Sequence, residues 1–203
     1  MKTYVAALIL ASTVALPQAA GAEGPARPVP PQVPDAIQVP SGYRPFLAGH
    51  AIGTQGYVCV TAGSGYRWAP FGPQATLFNG EGEQILTHFL SVTPYSQLLN
   101  PAWQHSRDSS IVWGQVIGSS SDPAFVTPGA IPWLLLEAAV VGNGPTGGDR
   151  LLATRFVQRV NTVEGRAPST GCSRPEDVAK KALVPYEADY FFFKEKTSND
   201  PRD

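Results

Sequence analysis

The sequence has little charge and very little sulfur. Charged residues make up 15% of the 203 residues, and 15 Lys and Arg stand against 16 Asp and Glu, which leaves a net charge of −1. Such a balance provides no basic surface, so we expect no nucleic-acid partner. With two cysteines and one methionine, the chain is also poor in the sulfur ligands that soft metals prefer.

Signatures of catalytic and cofactor sites are missing from the sequence as well. The three histidines, His50, His88 and His105, show no HxH or HxxxH spacing, and we expect no bound metal or cofactor. No GxGxxG segment links a strand to a helix, and Ser64 lies in a Gly-Ser-Gly segment rather than in a GxSxG elbow. The sequence therefore gives no direct support for dinucleotide binding or nucleophilic catalysis.

Residues 1–22 have the order of a secretory signal peptide. Lys2 supplies the positive start, Val5–Leu16 is a short apolar run, and Ala20-Gly21-Ala22 is a small-x-small cleavage site. We expect cleavage after Ala22 and a secreted or periplasmic mature protein. No later apolar run reaches the roughly 20 residues that span a bilayer, so we expect no transmembrane anchor after cleavage.

The two cysteines, Cys59 and Cys172, are expected to form a disulfide. In an oxidising compartment two cysteines normally pair, and this bridge would close most of the domain. The alternative is two free buried thiols, which is less compatible with a secreted protein.

Gly and Pro, with 20 residues each, are abundant, which is typical of many turns and few long helices. Five prolines within residues 23–36 indicate an extended Pro-rich leader. Residues 195–203 are polar and charged and are predicted to be a fraying tail. Residues 37–194 between them are long enough for a single domain with its own core.

The longest apolar run of the mature chain, Ala130–Val141, is predicted to be an interior strand. Periodicity alone does not separate a buried strand from a buried helix, but the surrounding short strands and turn residues favour the strand. The prediction is an all-β domain, either an antiparallel β-sandwich or a barrel-like fold with long loops. Its other strands are predicted at Phe46–Ile52, Gln55–Thr61, Tyr66–Ala69, Ala75–Phe78, Gln84–Leu90, Ile111–Gly118, Leu151–Asn161 and Val184–Lys194.

Several details of this sheet are predicted from local patterns. Gly53-Thr54 reads as a tight turn, and Asn79–Gly82 reads as the turn of a hairpin. Ser91–Ser110 is predicted to be a polar loop in which Trp103 is exposed. Along the last strand, alternation places four residues on one face: Tyr186, Ala188, Tyr190 and Phe192.

Glu137 is unusual because it interrupts the long apolar run. A buried carboxylate needs a partner or a raised pKa, and Arg155 or Arg159 on a neighbouring strand is a candidate partner. The alternative is an outward-facing side chain on an edge or at a bulge.

Four segments together resemble a known family: GHAIGTQGYVC at Gly49–Cys59, IPWLLL at Ile131–Leu136, QRVNT at Gln158–Thr162 and VPYEADY at Val184–Tyr190. The resemblance is to a secreted bacterial and fungal family of domains of unknown function, family 3455. It implies no established activity and no assigned catalytic residue. That family tends to have glycine where this chain has Glu164, which leaves the turn geometry at this position open.

The first functional hypothesis is a non-catalytic binding or surface-associated module. Gly49–Gly53, Tyr66–Pro73 and Trp103–Asp108 are predicted as loops around a groove for an extracellular or envelope ligand, such as a glycan or a peptide. Two alternatives stay open: a hydrolase or lyase that uses His50 or His88, and a metal-binding envelope protein that uses the same histidines. The candidate ligand-binding residues are His50, Trp68, His88 and Trp103.

Overall fold

The chain folds into a closed antiparallel barrel of eight strands. The computed structural model describes residues 27–197, so the predicted signal peptide lies outside the described residues. Each strand pairs with the next along the chain, and the last pairs with the first. The strands are β1 (Tyr43–Ala62), β2 (Gly65–Phe78), β3 (Gln84–Val92), β4 (Leu99–His105), β5 (Ile111–Ser120), β6 (Trp133–Gly142), β7 (Phe156–Glu164) and β8 (Lys181–Glu195).

The prediction of an all-β antiparallel fold is confirmed, and of its two forms the barrel is the one observed. Two short 3-10 helices, Asp35–Ile37 and Pro175–Asp177, complete the regular structure of residues 27–197. None of the helices in this range has the length and apolar character needed to cross a membrane.

The first strand continues through the turn that was predicted at Gly53-Thr54. A Cβ placed on Gly53 would lie 2.2 Å from Gln74 O and 2.5 Å from Ala75 Cα. Glycine is therefore needed here because β2 approaches the backbone of β1 closely, and the chain stays extended. The predicted turn was wrong because a glycine in a strand can mark close packing instead of a reversal.

The second strand likewise joins two segments that were predicted to be separate. In the pairing with β1, Gly56 faces Gly72 and Tyr57 faces Pro70, which leaves Phe71 as the extra residue of a β-bulge. The bulge allows the strand to continue although it contains prolines. Gly72, at φ 122°, has the backbone conformation that the bulge requires.

The predicted loop Ser91–Ser110 contains β4. Trp103 is fully buried there, not exposed, and its ring stacks on His88 with 4.3 Å between the ring centroids. The edges of Tyr190 and Phe192 pack against the same indole. Burial of this large aromatic ring stabilises a strand that Pro94 and Pro101 concealed in the sequence.

The groove predicted from three loops is therefore wrong in its construction. Gly49–Gly53 lies within β1 and Tyr66–Pro73 lies within β2. Trp103–His105 forms the end of β4. These segments build the barrel wall, and their side chains alternate between its two faces.

One hydrophobic cluster, the inner core, lies inside the barrel. The predicted face of the last strand is confirmed, because all four of its residues belong to this cluster. Partners from the other strands close around them. The buried members include Ala51, Leu77, Leu86, Trp103, Val112, Leu136, Val157, Tyr186, Ala188, Tyr190 and Phe192.

A second cluster, the outer core, covers the other face of β6, β7 and β8. It contains Trp133, Leu135, Phe156, Phe191 and Phe193, among others. The segment before β1 lies over these side chains: Ile37 is fully buried there. Gln158 Nε2 donates a hydrogen bond to Ile37 O at 2.8 Å. From Trp133 to Leu136 β6 thus packs on both faces, which accounts for the apolar run before Glu137 and confirms the interior strand.

Glu137 breaks the run because it faces outward. Its side chain is exposed, and it pairs in register with Gln115 and Phe156. The predicted ion pair is wrong: Arg155 pairs with Glu195 at 3.3 Å, and Arg159 donates to a backbone carbonyl. The outward-facing alternative is the one observed.

The Cys59–Cys172 disulfide is confirmed. It joins the buried Cys59 near the end of β1 to the connection between β7 and β8. Backbone hydrogen bonds from Cys59 N to Lys180 O and from Ala179 N to Cys59 O hold the same connection against β1.

Glu164 occupies the position at which the resemblance implied a glycine. It adopts φ 55° and Gly165 follows at φ 85°, so the left-handed turn is kept with one non-glycine residue. Glu164 O accepts a hydrogen bond from Ile131 N at 2.8 Å, which fixes the connection between β5 and β6 next to this turn.

Asp108 ties the connection between β4 and β5 to the one between β6 and β7. Its carboxylate accepts hydrogen bonds from Asp149 N at 2.9 Å, from Arg150 N at 3.0 Å and from Ser110 Oγ at 2.7 Å. Turns from residue 149 to 154 follow, so β7 begins at Phe156 and not at the predicted Leu151. Burial alone raises the pKa of Asp108, but the hydrogen bonds from Arg150 and Ser110 outweigh it and lower the pKa to about 2.

We predict that Asp108→Ala lowers the free energy of unfolding at pH 7 by about 1–3 kcal/mol, because the buried Ser110 and the N–H groups of Asp149 and Arg150 lose their acceptor. The folded pKa is depressed, so the carboxylate's contribution is complete above the unfolded pKa of about 4 and disappears as the pH falls towards 2. Urea unfolding of parent and variant between pH 7 and pH 2 measures this. Asp122→Ala is the control, since that exposed carboxylate accepts a bond from Ala124 N alone. If the free energies of unfolding of parent and Asp108→Ala differed equally at pH 7 and pH 2, the charge of Asp108 would not be the cause of the stabilisation.

Candidate functional site

A cavity of about 450 Å³ occupies one end of the barrel interior. Each of the eight strands contributes at least one residue to its wall. The wall is mostly apolar, with Leu90, Val116, Leu134 and Leu136 facing the space. An eight-stranded barrel is wide enough inside to hold one small ligand, and this cavity has the size of such a site.

Four prolines make part of the wall rigid. Pro70 and Pro73 come from β2, Pro101 from β4, and Pro132 from the residue before β6. Proline has a fixed φ and no backbone N–H, so these positions add apolar surface and no donor. The shape of the cavity is therefore set by the backbone before any ligand enters.

His88 projects from β3 into the wall as a neutral imidazole. It is 2% exposed, and burial lowers its pKa to about 3, with the positive charge of Arg159 lowering it further and the hydrogen bond to Ala102 opposing the shift. The ring Nδ1 lies 2.9 Å from Ala102 O, and a carbonyl accepts, so Nδ1 carries the proton. Nε2 is then an acceptor, and within residues 27–197 it has no hydrogen-bond partner.

Arg159 projects from β7 and is the one Arg, Lys, Asp or Glu among the described residues that line the cavity. It is 8% exposed, and its Nε and Nη2 donate to Pro132 O at 3.2 Å and 2.8 Å. In the described part of the chain no carboxylate pairs with it. Its charge acts on its neighbours, because it lowers the pKa of Tyr57 against the larger opposing effect of burial.

Three further polar side chains line the cavity. Tyr57 OH donates to Gly165 O at 2.6 Å, and Tyr190 OH lies 3.3 Å from Tyr186 OH. Gln55 is buried, and its amide makes no hydrogen bond within the described residues. The buried Trp103 Nε1 also lacks a partner there. Trp103 Nε1 is inaccessible, so the wall combines anchored polar groups with two that a ligand is able to engage, the Gln55 amide and His88 Nε2.

The structure separates the four predicted ligand-binding residues into two pairs. His88 and Trp103 line the cavity and stack on each other. His50 lies on the outer surface, with Nδ1 2.8 Å from Asp189 Oδ1 and Nε2 3.4 Å from Glu187 Oε2. Trp68 pairs in register with Cys59 and donates from Nε1 to Thr170 O at 3.0 Å, so it packs on the disulfide-bearing connection.

His50 and His88 do not meet, because they project from opposite faces of the barrel wall. Within residues 27–197 no group of three or more His, Cys, Asp and Glu side chains is arranged to hold a metal ion. The metal-binding alternative, which used both histidines, therefore has no shared site in the described structure.

The sequence reasoning missed Arg159, Gln55 and Tyr57 as cavity residues. For Arg159 a signal was present. It lies two residues after Val157 on β7, so both side chains point to the same face, and Val157 belongs to the inner core. An arginine on the inward face of a strand indicates a charged group inside a barrel. Gln55 and Tyr57 lie two and four residues after Gly53 on β1, so they point to the same face of the strand. This relation was missed because a turn was wrongly predicted at Gly53.

Comparison with known protein families places the barrel in its context. The sequence profile of a family described as protein of unknown function (DUF3455) matches residues 40–194. The chain belongs to this family. The match extends from before β1 almost to the end of β8, so the cavity lies wholly within the family domain. Comparisons with curated proteins and with solved structures found no match.

Proposed function

We propose that this protein binds a small, largely apolar molecule inside the barrel and does not transform it. The observation that carries the proposal is the cavity of about 450 Å³ with a mostly apolar wall and a few fixed polar groups. Small-molecule sites have this composition and this size. The rigid proline-containing wall supports binding further, since a preformed site loses little conformational entropy when a ligand enters.

The composition of the wall favours binding over catalysis. Among residues 27–197, those that line the cavity include no Ser, Thr, Cys, Lys, Asp or Glu, so no hydroxyl, thiol or amine nucleophile of these types and no carboxylate base from this range faces it. His88 is a weak base, because its pKa of about 3 is far below neutrality. A ligand held here meets hydrogen-bonding groups and apolar surface.

The position of the cavity inside the barrel supports a small molecule better than a glycan or a peptide chain. A polymer needs an open groove, whereas this space lies inside the barrel and is bordered by all eight strands. We propose that the protein acts outside the cytoplasm, as the predicted signal peptide implies, and the disulfide fits that setting.

A neutral fluorescent probe tests the proposal. We expect N-phenyl-1-naphthylamine to bind the parent protein with an increase in fluorescence, and Val116→Trp to weaken binding by about tenfold or more. Val116 is half-exposed and lines the cavity, so a larger ring there narrows the entrance. Ile117→Trp is the matched control, because Ile117 is equally exposed on the same strand and does not line the cavity.

Failure of the parent protein to bind the probe would overturn the proposal. Equal binding by Val116→Trp and the parent would place the binding site elsewhere on the protein. Circular dichroism of both tryptophan variants shows whether the barrel is retained.

A further inference from the structure

We infer that the ligand is an amphiphilic carboxylic acid, whose carboxylate binds the guanidinium of Arg159 and whose apolar part fills the cavity. The inference rests on the proposed function and deepens it, because it names the chemical class of the ligand. Three observations carry it: a buried cation without a counterion, an unused edge of its guanidinium, and a wall without acidic groups.

The first observation is the uncompensated charge. Arg159 is 8% exposed, yet no carboxylate pairs with it among residues 27–197. Buried arginines are normally paired, because moving a charge out of water is costly without an opposite charge nearby. By contrast, Arg155 lies on the same chain segment, is about half-exposed and pairs with Glu195. An anion entering the cavity would supply the missing partner of Arg159.

The second observation is the geometry of the guanidinium. Of its five N–H groups, one on Nε and one on Nη2 point to Pro132 O. This leaves both N–H groups of Nη1 and the second one of Nη2. These atoms form an edge that offers two parallel donors, which is the arrangement that binds a carboxylate through both oxygens.

The bond to Pro132 O does not account for the charge by itself. A neutral amide donor satisfies a backbone carbonyl equally well and avoids the cost of burying a cation. The charge of Arg159 therefore calls for an acidic partner, while its hydrogen bonds to Pro132 hold the side chain in place. The arginine is fixed before the ligand arrives, which reduces the entropy lost on binding.

The third observation is the electrostatic character of the wall. None of the described lining residues is acidic, so nothing in the wall competes with a ligand for Arg159. His88 is neutral, with Nδ1 bonded to Ala102 O, and the hydroxyls of Tyr57 and Tyr190 are held by other groups. Apart from the Gln55 amide and the backbone of Gly72, the rest of the described lining is aliphatic, aromatic or proline, which fits a hydrocarbon chain or an aromatic ring.

The test compares two molecules of equal length that differ in the head group. Decanoate, below its micelle concentration, and 1-decanol each displace bound N-phenyl-1-naphthylamine from the parent protein at pH 7.5. We expect decanoate to act at a concentration about tenfold or more below that of 1-decanol, because the ion pair and its hydrogen bonds form with the acid alone.

Variants then assign the preference to one side chain. In Arg159→Met, decanoate and 1-decanol should displace the probe at similar concentrations, whereas Arg155→Met should keep the preference for the acid. Arg159→Lys retains the charge without the fork and should keep part of the preference. If Arg159→Met does not fold, the preference for decanoate over 1-decanol is compared between Arg159→Lys and the parent, and an undiminished preference in Arg159→Lys would contradict a role for the guanidinium fork.

The outcomes separate the inference from the function on which it rests. If the parent binds the neutral probe and both decyl compounds displace it equally, the binding function stands and the carboxylate inference is overturned. The same holds if Arg159→Met retains the full preference. If the parent binds no neutral probe and no decyl compound, the proposed function fails first.

Discussion

Replacing both Cys59 and Cys172 by alanine is expected to lower the free energy of unfolding by about 4–5 kcal/mol at 25 °C. The disulfide closes a loop with a sequence separation of 113 residues. In the chain-entropy model, a cross-link over a loop of that length lowers the conformational entropy of the unfolded chain and stabilises the folded state by about this amount. Because a small domain is stable by about 5–15 kcal/mol, the loss is a large part of the total. Urea unfolding of oxidised parent and double variant measures it.

The reduced parent protein is the control for this prediction. Cys59 is fully buried, so its replacement also removes packing contacts, whereas reduction breaks the cross-link and leaves both sulfur atoms in place. We expect the free energy of unfolding of the reduced parent to be close to that of the double alanine variant. Unfolding of the reduced parent at the same urea concentration as the oxidised one would show that the bond contributes nothing to stability.

The disulfide was predictable from the sequence because the chain has two cysteines, which allow one pairing within the chain. The extent of the strands was not, because it depends on which backbone lies next to them. Gly53 reads as a turn residue until Ala75 of β2 is seen against it, and Phe71 reads as part of a break until it is recognised as a bulge. Local composition does not contain these long-range contacts.

The site was hidden for a related reason. A cavity is a property of the closed barrel, and the sequence left open whether the strands form a sandwich or a barrel. Once the barrel is closed, the alternation that places Val157 in the inner core also places Arg159 against the cavity. Trp103 was recognised as a candidate from its type, but its position inside the wall follows from the pairing of β4 with β3.

Leu136→Ala and Leu135→Ala are each expected to lower the free energy of unfolding by about 2–5 kcal/mol. The two residues are neighbours in β6 and point to opposite faces: Leu136 belongs to the inner core and Leu135 to the outer core. In a strand with one exposed face, one of the two substitutions would cost little. Here both create a void among packed side chains, because the segment before β1 covers the outer face.

Leu183→Ala provides the matched control, since this leucine lies in β8 with 56% of its surface exposed. We expect its free energy of unfolding to stay within about 0.5 kcal/mol of the parent value. Chemical unfolding of the three variants at one temperature gives the comparison. A cost below about 1 kcal/mol for Leu135→Ala, beside a large cost for Leu136→Ala, would mean that the outer cluster is a surface contact. The N-terminal segment would then be dispensable for the stability of the barrel.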